Sequence, residues 1–198
     1  MFNFLIDSDI AVSRFFQESV QRESAWVPAI RFFSDFEIFL TVAFLIGIWL
    51  YGAYRKDVDY KIASLDIFYA IMFAFAVYWA LQFGLPIRPR PEAVSNIPPL
   101  ISHLPDNSFP SGHAIFAGAS VVAIGYFLSM PVSTAFAVFG VIMLICRVIS
   151  GVHYFGDVLV GVIIGAILAR IYISYRDRAG FKTAFHTVPL KIASFFKL

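Results

Sequence analysis

The chain has 198 residues, of which 60% are hydrophobic and 14% charged, and its formal net charge is +2. This composition lies far outside the usual balance of a soluble globular domain, so it predicts an integral membrane protein with one compact domain. The charge is too small and too dispersed to favour a nucleic-acid partner. Cys146 is the single cysteine, which excludes an intramolecular disulfide.

The N-terminal segment, residues 1–35, mixes aromatic side chains with acids and arginines. This pattern is typical of one or two amphipathic helices that lie in the membrane interface, and a tight re-entrant hairpin is the alternative. The early acids, with no basic start before an apolar run, do not resemble a cleaved signal peptide.

Five apolar runs follow, and each is long enough to cross, or nearly cross, about 30 Å of hydrocarbon. They are residues 36–54, 64–85, 111–129, 132–149 and 155–173. We therefore expect an all-α fold, a multi-pass transmembrane helical bundle with about five spans. Residues 36–175 would form its core and residues 176–198 a basic tail.

The loops between five spans fall on two faces of the membrane. Residues 1–35, 86–110 and 150–154 share one face, and the N-terminal segment there is net acidic. The other face holds most of the cations, namely Arg55, Lys56, Lys61, Arg176, Arg178, Lys182, Lys191 and Lys197. The positive-inside rule therefore predicts that the second face is cytoplasmic and that the first points outward.

Three polar clusters occur at the predicted outward ends of the spans. They are QFGLPIRPRP at residues 82–91, SFPSGHA at 108–114 and CRVISGVHYFGD at 146–157. Because consecutive spans alternate in direction, all three clusters meet at one level of the membrane. Their convergence predicts a functional site there.

The chemistry of these clusters suits phosphoryl transfer, whose transition state carries charge on three equatorial oxygens. The guanidinium groups of Arg90 and Arg147 match phosphate oxygens in geometry and stay charged. Pro110 suits the first turn of a helix, which would leave the N–H groups of Ser111 and Gly112 free for an anion. The Ser111 hydroxyl would be a further donor.

The histidines supply the remaining groups that phosphoryl transfer needs. His153 and Asp157 are four residues apart, which on a helical turn places them on one face, so the carboxylate can hold the imidazole N–H. This predicts a nucleophile and its orienting group. His113 could protonate the departing oxygen and then take a proton from water.

Simpler explanations are favoured for other residues of similar type. A lone arginine such as Arg88 is more often an anchor that reaches the membrane surface. His103 and His186 are interpreted as hydrogen-bonded spacers, and Gly161 and Gly165 predict close helix packing.

Three motifs carry a family resemblance. They are Arg90-Pro91, then Pro110-Ser111-Gly112-His113, then Arg147 followed by His153 and Asp157. In spacing and order they resemble the signature motifs of the type 2 phosphatidic acid phosphatase superfamily, which also includes vanadium haloperoxidases. The resemblance implies a helical bundle with its site at the outward membrane edge, a phosphohistidine on His153, and no metal or other cofactor.

The resemblance also implies individual roles. Asp157 would orient His153, and His113 would act as general acid and then base. The phosphate cradle would consist of Arg90, Ser111, Gly112 and Arg147.

Two positions depart from the family pattern. The first motif usually begins with a lysine where this chain has Phe83, and we hypothesise that Arg88 or Gln82 compensates in part for the lost charge. The serine that usually precedes the third-motif arginine is Cys146 here, for which a packing role is expected.

The predicted function is that of a bacterial plasma-membrane phosphatase for a lipid-linked phosphomonoester or pyrophosphate. Small members of this shape resemble phosphatases for undecaprenyl pyrophosphate, lipid A 1-phosphate or phosphatidylglycerophosphate. A lipid-to-lipid phosphotransferase and a non-catalytic lipid-binding protein are the alternatives. The expected partners are the substrate lipid and the surrounding membrane lipids, and the sequence leaves the oligomeric state open.

Overall fold

The computed structural model describes residues 2–20, 23–95, 98–103, 107–176, 178 and 185–192. Within these ranges the chain is helical and contains no strand. The helices are α1 (Phe2–Glu18), α2 (Val27–Arg55), α3 (Val58–Gly84), α4 (Pro91–Ser95), α5 (Gly112–Phe127), α6 (Met130–Ile149) and α7 (Phe155–Arg176). Residues 185–192 are also helical.

Four of these helices, α2, α3, α6 and α7, are long and apolar enough to cross a membrane, and α5 is a shorter apolar helix. Each predicted apolar run lies mainly within one of them, so the expected all-α bundle is confirmed. The first long helix begins at Val27, nine residues before the predicted start of the run. Pro28 fits the first helical turn because its missing N–H would have no partner there.

The closest helix pair is α5 with α7, which pack backbone against backbone. A Cβ atom added to Gly165 would lie 2.1 Å from the Ile115 carbonyl oxygen, and one added to Gly161 would lie 2.7 Å from the Ala114 Cβ. Only glycine allows this approach, so the predicted packing role of Gly161 and Gly165 is confirmed. Since α5 and α7 both begin at the site described below, their contact fixes the distance between the two halves of the site.

Hydrogen bonds within the bundle attach α2 to its neighbours. The Ser64 hydroxyl of α3 donates to the Leu45 carbonyl at 2.9 Å, and the Ser120 hydroxyl of α5 donates to the Glu37 carboxylate at 2.8 Å. Ser120 and Glu37 are both fully buried. Polar contacts of this kind hold helices together where lipid supplies no hydrophobic driving force between them.

A polar cluster around Asp66 lies at the end of the bundle where α3 begins and α7 ends. The fully buried Asp66 accepts hydrogen bonds of 2.9 Å from the Tyr172 hydroxyl and from His186 Nε2, and Arg176 pairs with its other oxygen. His186 is thus hydrogen-bonded, as expected. His103, at the other end, is hydrogen-bonded to Glu92 at 2.6 Å.

Candidate active site

His153 lies in the short loop between α6 and α7 and is only 3% exposed. Its Nδ1 is 2.9 Å from the Ser108 carbonyl oxygen. A carbonyl can only accept, so Nδ1 carries the proton and Nε2 keeps its lone pair. Burial lowers the pKa of His153 to about 4, which keeps the ring neutral at physiological pH.

Asp157, in the first turn of α7, is fully buried behind this histidine. Its Oδ2 accepts hydrogen bonds from the Ser108 hydroxyl at 2.6 Å and from the Tyr154 N–H at 3.0 Å. It lies 3.9 Å from His153 Nδ1, which is beyond hydrogen-bond distance. The predicted direct bond is therefore replaced by the Ser108 carbonyl. His153 and Asp157 do not share a helical turn, because α7 begins only at Phe155, after the histidine.

Two buried arginines flank the histidine. Arg90 Nη1 donates to the Val152 carbonyl at 2.5 Å and lies 3.4 Å from His153 Nε2. Arg147, in the last turn of α6, is 5% exposed, and its Nη1 lies 3.3 Å from Asp35 Oδ1. Buried cations beside a neutral imidazole form an environment that favours an anionic group such as phosphate.

The helix α5 begins after the proline that was expected in its first turn. The helix begins at Gly112 with Ser111 as its N-cap, so Pro110 precedes the first turn. The Ser111 N–H was expected to be free for an anion, but it donates to the Asp157 carbonyl at 3.2 Å. The fully buried Ser111 Oγ has no hydrogen-bond partner among the residues that the structure describes. A Cβ on Gly112 would lie 3.0 Å from the Tyr78 ring, so a side chain here would have to displace that ring.

His113, in the first turn of α5, contacts a residue that the motifs do not include. Its Nε2 lies 2.7 Å from Oδ1 of Asp35, the oxygen that also accepts from Arg147. Asp35 belongs to α2 and its side chain is 47% exposed. The sequence signal for this residue is weak, since it is one of several acids near the start of an apolar run.

Arg88 is held by two carboxylates at the site. Its Nη1 lies 2.5 Å from Asp157 Oδ1 and its Nη2 2.6 Å from Asp9 Oδ2, while its guanidinium covers the Tyr154 ring at 3.9 Å. Burial lowers the pKa of Arg88, but the charges of Asp157 and Asp9 outweigh it and raise the pKa overall. Both terminal nitrogens are therefore directed at carboxylates, so Arg88 belongs to an ion-pair network at the site. Its compensation for the missing lysine stays a prediction.

The helix α1 contacts the loop that carries the histidine. Asp9 Oδ1 accepts from the Gly156 N–H at 2.7 Å, and the Ser13 hydroxyl accepts from the Phe155 N–H at 3.1 Å. Both N–H groups belong to the first turn of α7, where no intrahelical acceptor exists. The N-terminal helix thus caps α7. No motif predicted this role, because the composition of residues 1–35 is typical of amphipathic helices in the membrane interface.

The two departures from the family pattern occupy different environments. Phe83 is 85% exposed and stacks on Trp79, with 27° between the ring planes. The neighbouring Gln82 donates its amide to the Pro110 carbonyl at 3.3 Å and so braces the segment that enters α5. Cys146 is buried in α6. Within the described ranges, no three or more His, Cys, Asp or Glu side chains gather as metal ligands do.

A membrane-spanning helical bundle that holds a buried histidine and two buried arginines is typical of a membrane phosphatase. The chain belongs to the PAP2 superfamily, whose pattern matches residues 63–181. Undecaprenyl-diphosphatase BcrC of Bacillus subtilis (strain 168) is 29% identical over 152 residues, which are 74% of this chain and 72% of the relative. The family resemblance and the assignment to phosphatases are confirmed.

Two solved structures share the fold. The crystal structure of LpxE from Aquifex aeolicus has a TM-score of 0.67 at 20% identity, and covers 83% of this chain and 94% of its own. The crystal structure of a PAP2-type phosphatidylglycerolphosphate phosphatase from Bacillus subtilis has a TM-score of 0.67 at 24% identity, and covers 89% and 88%. The all-helical membrane architecture is thus common to all three chains.

Proposed function

We propose that this protein hydrolyses a lipid-linked phosphomonoester or pyrophosphate through a covalent phosphohistidine on His153. The observation that carries the proposal is the fixed tautomer of this ring. Its Nδ1–H is held by the Ser108 carbonyl at 2.9 Å, so the lone pair is on Nε2. Burial keeps that nitrogen unprotonated, which a nucleophile requires.

In the first half of the reaction, the Nε2 lone pair of His153 attacks phosphorus and forms the P–N bond. The bond between phosphorus and the leaving oxygen breaks, and protonated His113 gives that oxygen a proton. Charge on the equatorial oxygens is neutralised by Arg90 and Arg147, with donors from the Ser111 hydroxyl and the Gly112 N–H. Asp157 stabilises the positive charge that develops on the ring.

In the second half, the phosphoryl group passes from histidine to water. Neutral His113 takes a proton from water as the water oxygen attacks phosphorus, and the P–N electron pair returns to His153. Inorganic phosphate then leaves, and both histidines have their starting protonation. None of these steps needs a metal ion, because the arginines supply the positive charge.

We further propose that the site faces outward from a bacterial plasma membrane. The support is the charge of the opposite end, where Arg55 ends α2 and Arg176 ends α7. Residues 1–35 would lie in the outer interface, residues 36–175 would form the phosphatase core, and residues 176–198 would be a cytoplasmic tail. The lipid tail of the substrate stays between helices while its phosphate reaches His153.

Undecaprenyl pyrophosphate is the substrate we propose first, because the curated relative with 29% identity is an undecaprenyl-diphosphatase. Lipid A 1-phosphate and phosphatidylglycerophosphate remain in the same substrate class. A phosphotransferase would use the same histidine but pass the phosphoryl group to a second lipid. A lipid-binding protein without activity would bind the headgroup and leave it intact.

The test measures free phosphate released by the purified protein in detergent with EDTA, from each of the three lipids separately. We expect release by the wild type and by His103→Gln, a control histidine paired with Glu92, but none by His153→Ala. Release that persists in His153→Ala would refute the phosphohistidine. If the wild type releases no phosphate but phosphorylates an acceptor lipid, the protein is a transferase. If it does neither, the lipid-binding protein is favoured.

A further inference from the structure

Asp35 contacts two groups of the proposed mechanism although it lies outside the matched residues 63–181. Its Oδ1 is 2.7 Å from Nε2 of His113 and 3.3 Å from Nη1 of Arg147. The carboxylate therefore lies between the proposed general acid and one side of the phosphate cradle. No motif of the sequence assigns it a role.

The contact with His113 determines how that ring is protonated. An ionised carboxylate only accepts hydrogen bonds, so the nitrogen that faces Asp35, Nε2, must carry a proton. Nδ1 is then the nitrogen that exchanges its proton with other groups. A carboxylate on one imidazole nitrogen also stabilises the doubly protonated ring, because it faces the positive charge at hydrogen-bond distance.

The contact with Arg147 is the longer of the two, at 3.3 Å. An incoming phosphate provides several oxygens that a guanidinium can bind in a fork, which a single carboxylate oxygen at that distance does not match. We therefore expect an incoming phosphate to replace Asp35 as the partner of Arg147 Nη1. The carboxylate remains on His113, where the proton is needed.

We propose that Asp35 is the positioning residue of His113, which it holds by Nε2–H so that Nδ1 is the nitrogen that gives its proton to the leaving oxygen. This inference rests on the proposed function, because it assigns a partner to the proposed acid. As the P–O bond breaks, its electron pair stays on the leaving oxygen, which takes the Nδ1 proton. Asp35 stays ionised throughout and exchanges no proton.

A general acid matters most when the leaving oxygen is strongly basic. Phenolate needs a proton as it departs, whereas 4-nitrophenolate is a much weaker base and departs without one. Loss of Asp35 should therefore slow phenyl phosphate far more than 4-nitrophenyl phosphate. Loss of packing or of phosphate binding would slow both substrates by the same factor, since their phosphate groups are identical.

The experiment compares kcat/KM for the two aryl phosphates, a quantity that includes the step in which the leaving group departs. For Asp35→Asn we expect a fall of about 10- to 100-fold with phenyl phosphate, which is part of the ~10²–10⁴-fold that a positioned general acid contributes. With 4-nitrophenyl phosphate the fall should be under about 3-fold. Asp35→Glu should restore part of the loss, and Asp59→Asn, an exposed carboxylate at the other end of the bundle, should match the wild type.

A second variant links the effect to the histidine. His113→Asn should show the same selective loss, and adding Asp35→Asn to it should change the ratio of the two substrates no further. Equal losses on both substrates, or an additive double variant, would overturn the positioning role while hydrolysis through His153 stood. Failure of the wild type to hydrolyse either substrate or any of the three lipids would remove the proposed function, and this inference with it.

Discussion

Asp9 and Arg88 form an ion pair with 2.6 Å between Oδ2 and Nη2, although 79 residues separate them in the sequence. The other terminal nitrogen of Arg88 contacts Asp157. Arg88 therefore bridges the N-terminal helix and the carboxylate behind His153. The matched family residues, 63–181, include Arg88 and Asp157 but not Asp9. The N-terminal helix thus extends the polar network of the family domain.

Asp9→Asn should reduce phosphate release by about 10-fold, because a hydrogen bond to a charged group is worth about 1.5–3 kcal/mol. The asparagine oxygen still accepts from the Gly156 N–H, so the variant removes mainly the charge that faces Arg88. Asp7→Asn, on the same helix and exposed, is the matched control and should keep wild-type activity. Unchanged phosphate release by Asp9→Asn would show that the ion pair between Asp9 and Arg88 does not affect catalysis.

The stability of the protein should fall as the pH is lowered from about 6.5 to about 4. The pKa of His153 is lowered from 6.5 to about 4 in the folded chain. Between these two pH values the unfolded chain binds a proton on this histidine and the folded chain does not. Over the whole window the loss amounts to about 3 kcal/mol. Thermal unfolding in detergent at a series of pH values measures it, with His153→Asn as the reference that lacks this contribution. Parallel pH curves for the two proteins would contradict a depressed pKa.

Gly165→Ala should destabilise the bundle and lower activity together. The added Cβ would lie 2.1 Å from the Ile115 carbonyl oxygen, and its three nearest atoms all belong to the Ile115 backbone, which cannot turn aside as a flexible side chain can. We expect a loss of about 2 kcal/mol or more in unfolding free energy, because overpacking forces the two helices apart. Gly47→Ala is the control, since nothing lies within 4 Å of its added Cβ. Equal melting temperatures for the two variants would show that α5 and α7 can separate at no cost.

Asp66→Asn should lower stability but leave the chemistry intact. The buried carboxylate accepts from Tyr172 and His186 and pairs with Arg176, far from the histidine loop. Neutralising one member of a buried ion pair costs about 3–5 kcal/mol, because the remaining charge loses its partner. Thermal unfolding should reveal the loss, while KM measured at low temperature stays at the wild-type value. A changed KM would mean that the two ends of the bundle are coupled.

The fold could be predicted from the sequence because membrane spans are specified by local composition. The apolar runs are long, and the alternation of their direction places residues 82–91, 108–114 and 146–157 at one end without further information. The limits of the helices could not be predicted in the same way, since Val27 begins a helix within a segment whose composition is typical of an interfacial element.

The partners of the site residues could not be predicted in the same way. Asp35 meets a histidine 78 residues further along the chain and Asp9 meets Gly156, so both contacts depend on how separate helices are rotated and packed. Ser108 holds His153 through its backbone carbonyl, a group that every residue has. Side-chain identity therefore carried no signal for that contact.

Asp66 has a further consequence for how the protein is made. The ribosome synthesises Asp66 120 residues before His186, its most distant partner. At about 5–20 residues per second, this carboxylate waits about 6–24 s for its hydrogen bond from His186, at a position two turns inside an apolar helix. The hydrogen bond between Asp66 and His186 therefore forms only after α7 has been synthesised. A nascent chain halted after α7 would contain every proposed catalytic group and still lack the His186 hydrogen bond at the opposite end.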